Sequence, residues 1–187
     1  MTKAEAAAWL RSRDHFRILT HRNPDGDTIG CASALCRGLR ALGKTAHILE
    51  NPQFTARYGR WLRGLTAADV GPEHTVISVD MALDHHGSNT GFAECSYVVP
   101  DAAACGELVY ALLQELGAAI TPDIAEAVYL AVSTDTGCFQ YANTTSNTLR
   151  VAADMRDAGC DAYAVNKLFF GTKSVPRLQL EARLTES

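Results

Sequence analysis

Nothing in the 187 residues approaches the run of about 20 apolar residues that a membrane-spanning helix needs. A basic excess is missing too. Lys and Arg number 17 against 21 Asp and Glu, a formal net charge of −4, so no positive field exists to grip long duplex nucleic acid. Six cysteines (31, 36, 95, 105, 138 and 160) form no C-x-x-C pair, which excludes zinc-knuckle and thioredoxin-type motifs. Cys31 and Cys36 fall within helix-like sequence and read as small apolar fillers. Residues 1–14 (MTKAEAAAWLRSRD) are amphipathic and charged, without the apolar core of a secretory signal. There is no internal repeat and no low-complexity segment. What remains, 47% hydrophobic and 20% charged, suits one globular domain with a real core. The expectation is a cytoplasmic protein with reduced thiols and no membrane partner.

The stretch that carries chemistry is His21-Arg22-Asn23-Pro24-Asp25-Gly26-Asp27. A short buried strand is predicted before it, at Phe16–Thr20, and a helix after it, at Thr28–Leu42. Pro24 and Gly26 bend the backbone, so both aspartates are offered from a tight turn and not from opposite faces of a strand. A His and two carboxylates at the carboxyl end of a strand suit a hard cation. In the competing reading Asp27 merely caps the following helix. That accounts for one aspartate but not for His-x-x-x-Asp-x-Asp.

Elsewhere, Ala6, Trp9, Leu10 and Arg13 predict a helix over residues 2–14. Gly43 closes the 28–42 helix, and Thr45–Leu49 reads as a second strand, giving a βαβ unit with a right-handed crossover. Residues 51–64 are ambiguous between loop and irregular helix. Thr75–Val79 is the clearest strand and Asp80 ends it. A short strand at Tyr97–Val99 precedes helices at about 103–116 and 122–132, the latter running into an acidic turn at Ser133–Gly137. Further helices are predicted at 145–158, 162–170 and 175–184. Strands alternating with helices predict an α/β fold.

Three acidic stations stand at element ends: Asp25/Asp27, Asp80 and Asp135, joined by His21 and the pair His85-His86. Taken singly, Asp80 is a strand end, the histidines a surface loop, and Asp135 a turn former beside Gly137. Taken together, four clustered carboxylates repel one another and raise their pKa values, a cost that two divalent cations remove. Oxygen-rich ligation with some imidazole and no thiolate favours Mn²⁺ or Mg²⁺ over zinc or copper. Two such ions can clamp a phosphoryl group and activate water.

Three segments, HRNPDGDTIGCASAL, DHHGSNT and STDTGCFQYANTT, resemble the motifs of the DHH phosphoesterases. The form is nearest to the oligoribonuclease/pAp phosphatases and cyclic-dinucleotide-type phosphodiesterases, and the likeness runs along essentially the whole chain. RecJ-type exonucleases and Mn-dependent pyrophosphatases resemble it more loosely. The resemblance implies a three-layer α/β sandwich, its mostly parallel central sheet flanked by helices. It implies a phosphoesterase that uses two Mn²⁺ ions, with Mg²⁺ or Co²⁺ as substitutes, on short oligonucleotides or 3′,5′-bisphosphorylated adenosine (pAp). His21 and Asp25 would hold one ion, Asp80 would bridge both, and Asp27, His85 and Asp135 would complete the second. Asp84 would orient the site or assist proton transfer, and His86 would contact substrate phosphate, with Asn89 also on the substrate side. Pyrophosphatase or cyclic-dinucleotide phosphodiesterase activity stays open, as do a metal-binding fragment of impaired activity and a homodimer.

Two departures from that family bear on these expectations. In the family, the aspartates matching Asp80 and Asp84 end two parallel strands joined by a helical crossover. Here three residues separate them, and the span is at most about 14 Å, whereas a parallel crossover needs roughly a dozen residues or more. The usual two-strand presentation cannot be built from DMALDHH, although a single loop can still bring Asp80 and His85 to one metal. Losing a helix and a central strand is expected to expose core, which favours a sequence that closes up over residues not included in it. The second departure is a C-terminal DHHA1 domain, expected to be absent, with residues 1–173 forming the DHH domain and 174–187 the start of a linker helix. Without that lid, turnover of nucleotides is expected to be weak.

Overall fold

The computed structural model describes residues 1–68 and 74–185. Phe16, Ile18, Ala46, Ile48 and Ile77 are buried, and they line short strands whose register puts Ile18 level with both Ile48 and Ile77. Strands β1 (Phe16–Leu19), β2 (Ala46–Leu49), β3 (Thr66–Ala67) and β4 (Thr75–Ser78) form a parallel sheet in the order β3-β2-β1-β4. The chain therefore moves outward from β1 to one side and then crosses to the other. That reversal makes the crevice beyond the carboxyl ends of β1 and β4 a topological switch point, where open α/β sheets take their ligands.

Helices flank this sheet: α1 (Lys3–Arg11), α2 (Gly26–Ala41), α3 (Gly59–Leu62), α4 (Cys105–Leu116), α5 (Pro122–Asp135), α6 (Ser146–Asp157), α7 (Ala162–Phe169) and α8 (Val175–Thr185). Among the described residues no helix is long and apolar enough to cross a membrane. Helix α2 is the spine, buried along nearly its whole length between the sheet and α5. A Cβ on Gly30 would lie 2.3 Å from the Ala127 carbonyl oxygen, so only glycine permits this approach of α2 to α5. Around it Ile29, Leu35, Leu39, Leu112, Leu113 and Leu130 are fully buried.

The structure adds local detail and moves one helix end. Asp25, and not Asp27, caps α2. Gly43 takes φ +79° just beyond the helix, as a closing glycine should. Helix α5 continues through Asp135 instead of turning at Ser133. The hydroxyls of Ser133 and Thr134 bond back to the Leu130 carbonyl at 3.2 and 2.8 Å, which keeps these polar residues within the helix. The turn comes afterwards, where Gly137, Cys138 and Phe139 all have positive φ.

Between Asp80 and Asp84 the chain makes one tight turn. Asp80 takes φ +58°, Ala82 N–H donates to the Ser78 carbonyl at 3.1 Å, and Val79 bridges Leu83. Strand β5 (Leu83–Asp84) then pairs in parallel with β6 (Tyr97–Val98) as a separate two-stranded sheet. Strand β4 is left at the sheet edge, with Val76 51% exposed. A cavity of about 490 Å³ runs along it, lined by Trp9, Leu10, Val76, Ile77, Leu83 and Tyr97. Apolar surface therefore lies open beside β4. Helix α8 buries no residue; Glu186 and Ser187, the end of the predicted linker segment, lie outside the described residues.

Candidate metal centre

The turn after β1 gives its two aspartates different surroundings. Asp25 Oδ1 accepts from Thr28 N–H at 3.0 Å as the α2 cap, while Oδ2 stands 3.6 Å from His21 Nε2. Capping and metal ligation are therefore compatible, because they use different oxygens. Asp27 is buried against the N-terminus of α4. There Cys105 N–H reaches Oδ2 at 2.7 Å and Gly106 N–H reaches Oδ1 at 3.0 Å, in the positive field of a helix start. Cys31 is more than a filler, since its thiol donates to Asp27 Oδ1 at 3.2 Å.

Asp80 enters from the other side of the crevice. Its Oδ2 accepts from Thr28 Oγ1 at 2.9 Å and lies 3.5 Å from His21 Nε2. Its Oδ1 is buried with no hydrogen-bond partner, 3.7 Å from His85 Nε2. His85 Nε2 is likewise buried and unpartnered, 3.2 Å from Asp135 Oδ2 and 3.6 Å from Asp27 Oδ2. Three groups of side chains each bring their ligand atoms within 4.8 Å of one another: His21, Asp25 and Asp80; Asp27, His85 and Asp135; and Asp80, His85 and His86. All six residues expected at the metals converge, and Asp80 belongs to two groups.

Asp84 is placed differently. It accepts from His85 N–H, His86 N–H, His86 Nδ1 and Asn89 Nδ2, so its lone pairs are spent on protein donors. Burial alone would raise its pKa, but the bonds from Asn89 and His86 prevail and lower it. This is the geometry of a group that orients His86, whose ring is otherwise half exposed. The Asn89 side chain is engaged with Met81, Asp84 and Gly91, holding the loop that follows the histidines.

The electrostatics fit a cation. Burial, with Asp80 and Asp135 nearby, pushes Asp27 up to about 8. Burial raises Asp80 as well. Burial alone would depress His85, yet Asp135, Asp27 and Asp80 outweigh it and carry the imidazole up to about 9. The cluster thus retains protons that a divalent ion would displace. Orientation points the same way. His85 Nδ1 lies 3.2 Å from the Ala102 carbonyl, which can only accept, so Nδ1 carries hydrogen. With Nδ1 so engaged, Nε2 is the atom that faces Asp135, Asp27 and Asp80, and a cation that displaced its proton would take that place.

Sequence reasoning missed Thr28, the Ala102 carbonyl, the first amides of α4, and Asn51, whose Nδ2 donates to Thr20 Oγ1 and to the His21 carbonyl at 3.1 Å each. Only the α4 amides left a signal, through the predicted start of a helix near residue 103.

Comparison with known proteins follows the same lines. The profile described as DHH family, N-terminal domain, matches residues 15–132. The "Bifunctional oligoribonuclease and PAP phosphatase NrnA" of Thermus thermophilus is 35% identical over 186 residues, covering 86% of this chain and 56% of that protein. The Bacillus subtilis protein of the same name is 31% identical over 78 residues, 40% of this chain and 25% of that protein. A crystal structure of an exopolyphosphatase-related protein from Bacteroides fragilis superposes with a TM-score of 0.78 at 20% identity, covering 99% of this chain and 64% of the other. The chain spans little more than half the length of the T. thermophilus relative.

Proposed function

Since the chain belongs to the DHH family, we propose that it is a Mn²⁺-dependent phosphoesterase acting through two metal ions on short oligonucleotides and on pAp. The observation that carries this reading is the pair of buried, unpartnered atoms, Asp80 Oδ1 and His85 Nε2, at the junction of the three side-chain groups. In it, His21 and Asp25 would hold one ion and Asp27, His85 and Asp135 the other, with Asp80 available to both. When bound, the two ions offset the carboxylate charge, polarise the phosphoryl group and activate water. The protein's own groups fix the geometry. Asp84 holds His86 through Nδ1, and the half-exposed His86 ring would contact a substrate phosphate, while Asp84 would orient the site or assist proton transfer. Residues 1–173 form the unit that carries this site, and α8 buries no side chain.

The test is hydrolysis of pAp and of a dinucleotide with and without Mn²⁺, with pyrophosphate and a cyclic dinucleotide as comparison substrates. Mn²⁺-stimulated release of mononucleotide is expected, abolished in both Asp80→Asn and His85→Ala. Full activity in both variants refutes the proposal. Mn²⁺ that raises the melting temperature without any hydrolysis would identify a binding module instead.

A further inference from the structure

We propose that Thr28 is a positioning residue that makes Asp80 a bridging ligand; this rests on the two-ion reading above. Thr28 is fully buried at the start of α2 and uses both of its donors on carboxylates. Its N–H binds Asp25 Oδ1 at 3.0 Å, and its hydroxyl binds Asp80 Oδ2 at 2.9 Å across 52 residues of sequence. The hydroxyl has one proton to give, and in giving it to Oδ2 it fixes the plane of the Asp80 carboxylate. Oδ2 then stays on the His21 side, at 3.5 Å, and Oδ1 is turned toward His85, at 3.7 Å.

Without that bond the carboxylate is free to rotate about its terminal torsion, which is soft and broad. Both oxygens can then serve one ion and abandon the other. Asp80 itself sits in a tight turn at φ +58°, and its Oδ1 has no hydrogen-bond partner. The clamp therefore comes from the neighbouring element. By presenting both bonds from one rigid helical turn, Thr28 also ties the Asp25 end of the crevice to the Asp80 end.

Mn²⁺ titration of the whole chain, read by calorimetry and by paramagnetic resonance of free Mn²⁺, gives affinity and stoichiometry independently of turnover. The near-isosteric Thr28→Val keeps the N–H and removes the hydroxyl. It should weaken the second Mn²⁺ by about 10- to 100-fold, as loss of a group supporting a ligand commonly does. Thr28→Ser, which restores the hydroxyl, should bind two ions within a few-fold of wild type. Two ions bound normally by Thr28→Val would overturn the inference. If the valine variant fails to fold, Thr28→Ala takes its place against Thr28→Ser. Loss in Ala alone supports the inference, and equal behaviour of the two overturns it. The wild-type arm keeps the two proposals apart: two ions in wild type with an indifferent Thr28→Val reject only this one, while no Mn²⁺ binding in wild type rejects both.

Discussion

Replacing Gly30 with alanine couples the packing of the core to the metal site. The new Cβ would fall 2.3 Å from the Ala127 carbonyl oxygen and 2.9 Å from the Ala131 Cβ, where ordinary contact begins at 3.4 Å. The obstacle at Ala127 is helix backbone, so no side chain can swing aside, and α2 and α5 must part by roughly 1 Å. Overpacking of this kind costs about 1–3 kcal/mol. At about 2–4 °C per kcal/mol for a domain of this size, the melting temperature should drop by roughly 2–12 °C. The same displacement reaches the site, because α2 begins beside Asp25 and Asp27 and α5 ends at Asp135. A shift of about 1 Å can lower a rate by about 100-fold, so Mn²⁺-dependent hydrolysis should fall far more than stability alone explains. Gly59→Ala is the control, being helical with nothing within 4 Å of its Cβ. Calorimetry of both variants with and without Mn²⁺ decides. A Gly30→Ala protein that melts with the wild type refutes the packing argument, and one that melts lower but hydrolyses normally refutes the link to the site.

The metal-free protein should lose stability as pH rises. Folded Asp27 titrates near 8 against an ordinary 3.8, and folded His85 near 9 against 6.5, so the native state holds protons that the unfolded chain releases across those windows. Their contribution is complete below each ordinary value and is lost as pH climbs through the folded one, while Mn²⁺ affinity strengthens as the competing protons leave. Melting curves from about pH 5 to about pH 9, with and without Mn²⁺, check this, and a metal-free melting temperature that rises over that range would contradict it. Glu107, buried at 6% exposure, accepts from Thr148 Oγ1 and Asn147 Nδ2 at 2.6 Å each, tying α6 to the helix whose first amides hold Asp27. Glu107→Ala should cost about 1–3 kcal/mol for the buried Thr148 hydroxyl left unpaired, measured by chemical denaturation, and an unchanged midpoint would show that α6 docks without it.

The residues proposed for the metals were legible because their signal is chemical and local. His21, Asp25 and Asp27 lie within one Pro- and Gly-marked turn, and His85 and Asp135 each stand beside a recognisable break. The parallel sheet was legible for a similar reason, since Phe16–Leu19 and Thr75–Ser78 are short apolar runs with clear ends. Thr28 was not. A threonine in the first turn of a helix looks the same whether or not a carboxylate 52 residues away receives its hydroxyl. Cys31 read as a filler because its contact with Asp27 arises from one helical turn of folding, not from spacing to any other cysteine. The end of α5 was placed too early, since Ser and Thr usually compete with helix, and here they bond back into it.

The φ of +58° at Asp80 has a consequence for any substitution made there. Left-handed backbone costs most side chains about 1–2 kcal/mol, while Asp and Asn tolerate it through their short polar groups. Alanine at this position would thus deform the loop and delete the carboxylate in one stroke, and its phenotype would conflate shape with chemistry. Asparagine keeps the conformation while it removes the charge and one of the two ligand oxygens, so the difference between the two variants measures how much of the site is held by the bend and how much by the carboxylate.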